Sequence, residues 1–218
     1  TTCVALENTP QMQEILHGEM PMERFRWQIR QNYQYLLEYT KCWAVGFTKA
    51  QGFDEMQQWF SIVKSTFEDT VAMNRTYWAE QIGATTDDLE HTIMAEKKRS
   101  YTAHELARAY EGDLATCLMG LFPCNVLYMH MGDDLLPQCK LDKENMFYKW
   151  IEFYTLPAYR AKCEREIAMI NQLCENKSER ELRRLLEIFA VGCNYELLQW
   201  RDMYYKMETW PLEGIFPK

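Results

Sequence analysis

The chain has 218 residues, 47% apolar and 14% aromatic, which is enough for one well-filled core, and no Pro/Gly/Ser-rich linker divides it, so one domain over 1–218 is expected. Thirty-two acidic against twenty-four basic residues give a net charge of −8, which opposes the counterion release that nucleic-acid binding relies on. No run reads as a membrane span and the start lacks the pattern of a signal peptide, so a cytoplasmic protein without a nucleic-acid or membrane partner is expected.

In chain order, residues 1–8 read as an irregular arm. Residues 21–49 read as a helix opened by Pro21, with Phe25, Ile29, Asn32, Leu36, Thr40 and Trp43 along one stripe. Gly52 marks a turn, and Met56, Phe60, Val63, Phe67, Val71 and Tyr77 predict a second long helix over 53–81 that ends near Gly83. Thr86, backed by Asp87, Asp88 and Glu90, predicts a capped short helix to Met94. A helix over 99–110 leads through Glu111 and Gly112 into a very apolar one lasting to Leu136. After the loop QCKLDKEN come helices over 143–154 and 157–175, divided at Leu156 and Pro157. Ser178 with Glu181 is a capping box for a last helix to Met207, and 208–218, with two prolines and a glycine, reads as an irregular tail. Period-two alternation is absent, so the expected architecture is an all-α bundle of seven to nine helices.

Within the apolar helix, LATCLMGLFPCNVLYMH puts Pro123 before Cys124, with Tyr128 one turn on. A helix-interior proline gives no N–H to the carbonyl of Met119, so the helix bends where the thiol sits and Tyr128 shares its face. Cys124 is then either a small packed hydrophobe or a thiol at the floor of a pocket. In the last helix Glu196 shares a stripe with Cys193, Gln199 and Trp200; buried there it would be a general acid with a raised pKa, and on the boundary a solvated carboxylate near Arg201 or Lys206. Asn32 and Tyr35 lie one turn apart and read either as an inward pair or as a surface amide beside a core tyrosine. Tyr101 and Tyr154 place hydroxyls near predicted helix ends.

The eight cysteines form no CxxC pair and read as reduced thiols. Among the four histidines His91, three residues after Asp88, has a carboxylate at bundle-metal spacing but in a short polar segment, while His130, Asp133 and Asp134 run into a loop. No cofactor is expected, and there is no glycine-rich phosphate loop or GxSxG.

Four blocks then match one family in order. LMGLFPCNVLYMHMGDDL resembles the PC-x-x-x-Y helix of the TenA family, also called thiaminase II or aminopyrimidine aminohydrolase, within the heme-oxygenase-like helical fold. KWIEFY resembles its KWI-x-x-Y segment, NYELLQW its YE-x-x-F-W helix and RQNYQYL its D-x-x-Y segment, so the similarity spans about Phe25 to Trp210. By position the resemblance makes Cys124 the nucleophile and Glu196 the acid/base. It puts Tyr35, Tyr101, Tyr128 and Tyr154 around a pyrimidine, with Asn32 and Gln199 at two further substrate-binding positions. It also implies a homo-oligomer, tetramer or dimer, releasing hydroxymethylpyrimidine for salvage. Asn32 stands where the family has an aspartate and Gln199 where it has an aromatic residue. An amide can read a neutral aminopyrimidine edge but does not hold a protonated ring nitrogen as a carboxylate does, so weaker thiamine hydrolysis or another pyrimidine is expected. Competing readings are a pyrimidine-binding protein without turnover and a metal-dependent oxidase on the same fold.

Overall fold

The computed structural model describes residues 2–210. Among them are nine α-helices of six residues or more: α1 (Thr2–Glu7), α2 (Pro10–His17), α3 (Met22–Phe47), α4 (Gly52–Ser65), α5 (Glu96–Glu111), α6 (Leu114–Leu135), α7 (Met146–Phe153), α8 (Pro157–Cys174) and α9 (Glu179–Leu198). The described residues contain no strand.

Helix α6 runs through the middle, with α3, α5, α8 and α9 packed around it. Its sequence is apolar on every face, which is the pattern of a helix with neighbours on all sides. The stretch Leu114–Gln138 is long and apolar enough to cross a membrane by length and composition, contrary to the sequence reading, but 83% of its most apolar window is buried among the other helices. Pro123 lies inside α6, and its ring is accommodated by Gly192 of α9: a Cβ on that glycine would stand 2.6 Å from the Pro123 Cγ. The absent side chain therefore lets α9, which carries Glu196, approach the turn that carries Cys124.

Three other expectations need correcting. Residues 1–8 are not an irregular arm: Thr2–Glu7 is helical and docks on α6 and α9 through Leu6, which is 1% exposed. The helix expected over 53–81 is regular only to Ser65 and continues through two wider π-helical stretches, Thr66–Val71 and Asn74–Trp78. The short helix Thr86–Glu90 is capped by Thr85 rather than Thr86, in a reciprocal box with Asp88. The capping box at Ser178 and Glu181 forms as read. Residues 208–210 are non-helical, and 211–218 lie outside the described residues.

Two aromatic-rich clusters make most of the core. One gathers Phe25, Trp78, Trp150, Trp200 and Tyr204; the other gathers Tyr35, Tyr39, Trp43, Trp59 and Tyr101. Cys124 packs against both.

Candidate active site

Between these clusters opens a narrow cleft, with about 700 Å³ of free space when its open mouth is included. Its wall includes Cys124 and Tyr128 of α6, Glu196 of α9, Asn32 and Tyr35 of α3, and Tyr154 just beyond α7. Six of the eight site residues expected from the sequence thus meet at one cavity. Tyr101 and Gln199 do not reach its wall and are fully buried behind it.

The two groups central to the expectation lie together. Cys124 borders the cleft one residue past the proline turn, half-buried and free. Glu196 is 1% exposed, so the solvated reading is excluded. Tyr128 donates its hydroxyl to Glu196 Oε2 at 3.3 Å and is itself held by the Trp200 Nε1–H at 2.9 Å. Glu196 Oε1 has no partner among the described residues, which leaves one carboxyl oxygen for a ligand or a proton.

From the wall inward runs a stack of tyrosines that starts at Tyr39 and Tyr35, both on the cleft. The rings of Tyr39 and Tyr35 are 5.4 Å apart, Tyr35 and Tyr101 5.5 Å, and Tyr101 and Tyr195 5.3 Å, each pair near parallel. Tyr35 donates to Glu105 Oε1 at 2.7 Å. The Tyr101 hydroxyl lies beside the Glu196 and Glu105 carboxyls and favours the charged form of each, without closing a hydrogen bond to either. Tyr101 thus bears on the acid from behind the cleft wall.

Several residues of the site were not read from the sequence. Lys98 and Glu105 are buried on the inner face of α5, three residues before and four after Tyr101. Within EKKRSYTAHE they look like members of an exposed charge run, and the only signal was that Lys98, Tyr101 and Glu105 share one helical face. Lys98 donates to Gln199 Oε1 and sits 4.1 Å from the centroid of the Tyr35 ring. The Gln199 oxygen is thus turned to Lys98 behind the cleft wall. Asn74, on the second π-helical stretch, accepts at 3.3 Å from Asn32 Nδ2 and donates at 3.0 Å to the Thr70 carbonyl. Lys162 at the cleft donates to Asn125 Oδ1 at 3.3 Å, and the Asn125 amide in turn donates to both oxygens of the buried Glu166, at 2.8 and 2.9 Å.

Burial governs the charges here. It pushes the Glu196 carboxyl up, while Lys98 and the Tyr101, Tyr128 and Cys124 groups work to keep it ionised. Burial pushes the Cys124 thiol well above its usual value, aided by Glu196 and Glu105 and opposed by Tyr35 and Lys98. Burial lowers Lys98, against Glu196, Cys124 and Glu105. Each group of this cluster thus biases the charge of the others, a condition common where groups exchange protons in a reaction. Among the described residues no three His, Cys, Asp or Glu side chains gather as a metal ion would need; His91 is exposed and pairs with Asp87.

A family model described as TENA/THI-4/PQQC matches residues 9–207. An aminopyrimidine aminohydrolase of Bacillus subtilis is 28% identical over 206 residues, covering 94% of this chain and 86% of its own. Among solved structures, a TenA homologue from P. horikoshii OT3 superposes with a TM-score of 0.84 at 22% identity, covering 94% of this chain and 93% of that one. A protein from Shewanella denitrificans described as having a heme oxygenase-like fold superposes at 0.74 with 14% identity, covering 94% and 88%.

Proposed function

Because the chain belongs to the TENA/THI-4/PQQC family, we propose that it is a hydrolase of aminopyrimidines, acting on thiamine breakdown products to release a hydroxymethylpyrimidine. The observation that carries this reading is the meeting of a free thiol and a buried carboxyl at one aromatic cleft. The named relatives support the reaction class.

The chemistry follows from the groups present. The methylene carbon attached to an aminopyrimidine is a poor electrophile, so direct displacement by water is slow. Transfer of the Cys124 proton to Glu196 frees a thiolate whose electron pair bonds to the ring carbon beside the substituent. The ring π pair shifts to form an exocyclic C=CH2 bond and expels the amine, which takes the proton from Glu196. Water then adds to that methylene as Glu196 accepts its proton; the electrons return to the ring, sulfur departs, and the proton goes back to it. Tyr128 keeps the carboxyl aimed throughout. Aromatic walls from Tyr35, Tyr128 and Tyr154 suit a flat ring, and Asn32 supplies an amide to read its edge. A cytoplasmic setting, in which the eight cysteines stay reduced, and a dimeric or tetrameric assembly belong to the same proposal.

The test is ammonia release from 4-amino-5-aminomethyl-2-methylpyrimidine by the purified protein. Turnover that vanishes in Cys124→Ser is the expected result. Tight binding without turnover in the wild type would instead make it a pyrimidine-binding protein.

A further inference from the structure

Lys98 is the one lysine or arginine buried among the described residues, 1% exposed, on the inner face of α5. A buried ammonium is costly unless a nearby negative charge compensates it. Among the described residues its one hydrogen bond is to the neutral Gln199 Oε1, which orients the ammonium but supplies no charge. Below it lies the face of the Tyr35 ring, 4.1 Å from Nζ, and the Tyr204 ring centroid is 5.3 Å away. The ionisable groups that bear on it come from three elements: Glu196 of α9, Cys124 of α6 and Glu105 of its own helix. Lys98 also borders the cleft beside Cys124 and Glu196.

Resting on the proposed hydrolysis, we infer that Lys98 is a positioning residue for it: the ammonium, held by Gln199 against the Tyr35 ring, is a fixed counter-charge for one negative charge that moves between Glu196 and Cys124. In the first step the thiol proton passes to the carboxylate, so the charge leaves Glu196 and appears on sulfur. A cation that bears on both groups balances the charge at either place, so no water needs to reorganise around it. When sulfur's electron pair enters the ring and Glu196 gives up its proton, the carboxylate charge returns to the same partner. Glu105 is less suited to that charge, since burial holds its carboxyl well above the usual range and Tyr35 occupies one of its oxygens.

The test is the pH dependence of Cys124 alkylation by iodoacetamide, read by peptide mass mapping in the intact chain without substrate. It is therefore independent of which pyrimidine is turned over. The groups facing the sulfur are Glu196, Glu105, Tyr35, Tyr39, Tyr101, Tyr128, Tyr154, Tyr159, Tyr204 and Lys98, of which Lys98 is the cation. Lys98→Met keeps the length of the stem and removes the charge. At about pH 8 it is expected to slow alkylation of Cys124 by roughly tenfold or more and to move the half-maximal rate upward by about one pH unit. Gln199→Leu, which leaves the ammonium present but unheld, is expected to give a smaller shift in the same direction. Lys98→Met removes the ammonium's own desolvation cost but leaves a buried carboxylate without its counter-charge, so its urea midpoint should fall below that of the wild type, and alkylation is compared under conditions where both are folded. Superimposable alkylation profiles of Lys98→Met and wild type would overturn the inference, and so would a Gln199→Leu profile unchanged from wild type if Lys98→Met fails to fold. Absent ammonia release with the expected alkylation shift would instead remove the hydrolase reading and leave the counter-charge standing.

Discussion

Asn32 has its amide fixed by what stands behind it. Asn74 commits its own N–H to the Thr70 carbonyl, so its oxygen faces Asn32 and takes the Asn32 N–H, leaving the Asn32 oxygen as the acceptor offered to the cleft. A neutral acceptor suits an exocyclic amino group, whereas a carboxylate would also hold a protonated ring nitrogen. Charged hydrogen bonds exceed neutral ones by about 1–1.5 kcal/mol, so Asn32→Asp is expected to raise kcat/KM by about tenfold for thiamine and for the aminomethylpyrimidine, which share the ring. Unchanged degradation of both substrates in the variant would count against a ring-activating role for this position. Glu196→Gln should keep the fold and lose about a hundredfold or more in kcat, since the amide neither gives nor takes the proton. Tyr128→Phe withdraws a donor that favours the carboxylate, so the acid limb of kcat/KM against pH should move upward. Cys124 and Glu196 were legible as residues out of keeping with their helices. Lys98 and Glu105 were not, because charge in a polar run carries no mark of burial.

Helix ends and helix packing decide where these side chains stand. Asp113 caps α6 by accepting the Thr116 N–H at 2.9 Å and hydroxyl at 2.8 Å, and Lys177 Nζ lies 2.5 Å away. Burial works against its charge, but Lys177 and Thr116 outweigh burial and hold the carboxyl at about 2, below its ordinary 3.8. The folded state therefore favours the charged form, so this stability is present above pH 3.8 and is lost as pH falls through about 2. Asp113→Asn keeps a capping acceptor, and its urea midpoint should fall less over that interval than the wild type's. Asp113→Ala should cost about 1 kcal/mol at neutral pH. At the α6/α9 crossing, Gly192→Ala would force the rigid Pro123 ring aside and should destabilise the protein by about 1–3 kcal/mol in urea unfolding. The helices themselves were readable from apolar spacing. The π-helical stretches were not, since closing each hydrogen bond one residue later leaves composition untouched, yet they place Thr66, Thr70, Asn74 and Trp78 on the cleft. Thr2–Glu7 was missed because six residues are too few to show a period, and docking through Leu6 supports what propensity alone would not.

Across the molecule, the helical thiols set a common alkaline limit. Burial pushes Cys117, Cys163 and Cys193 up to about 12 from 9.0, and Cys42 higher still. Folding thus favours the protonated thiols, so their stabilisation is complete below the unfolded value of 9.0 and is lost as pH rises toward about 12. Each fully buried thiol should lose about 1.4 kcal/mol per pH unit above its unfolded value, and Cys117→Val should flatten the slope of urea midpoint against pH in that range. The all-helical class could be read from the sequence as a whole, because periodicity is a summed signal. The cleft could not, because it depends on which two clusters fail to close against each other. That seam has a mechanical consequence. A flat molecule lodged beside Cys124 would touch both halves of the hydrophobic interior at once, welding α3 and α5 to α7 and α9, and saturating ligand should slow amide-hydrogen exchange on both flanks together.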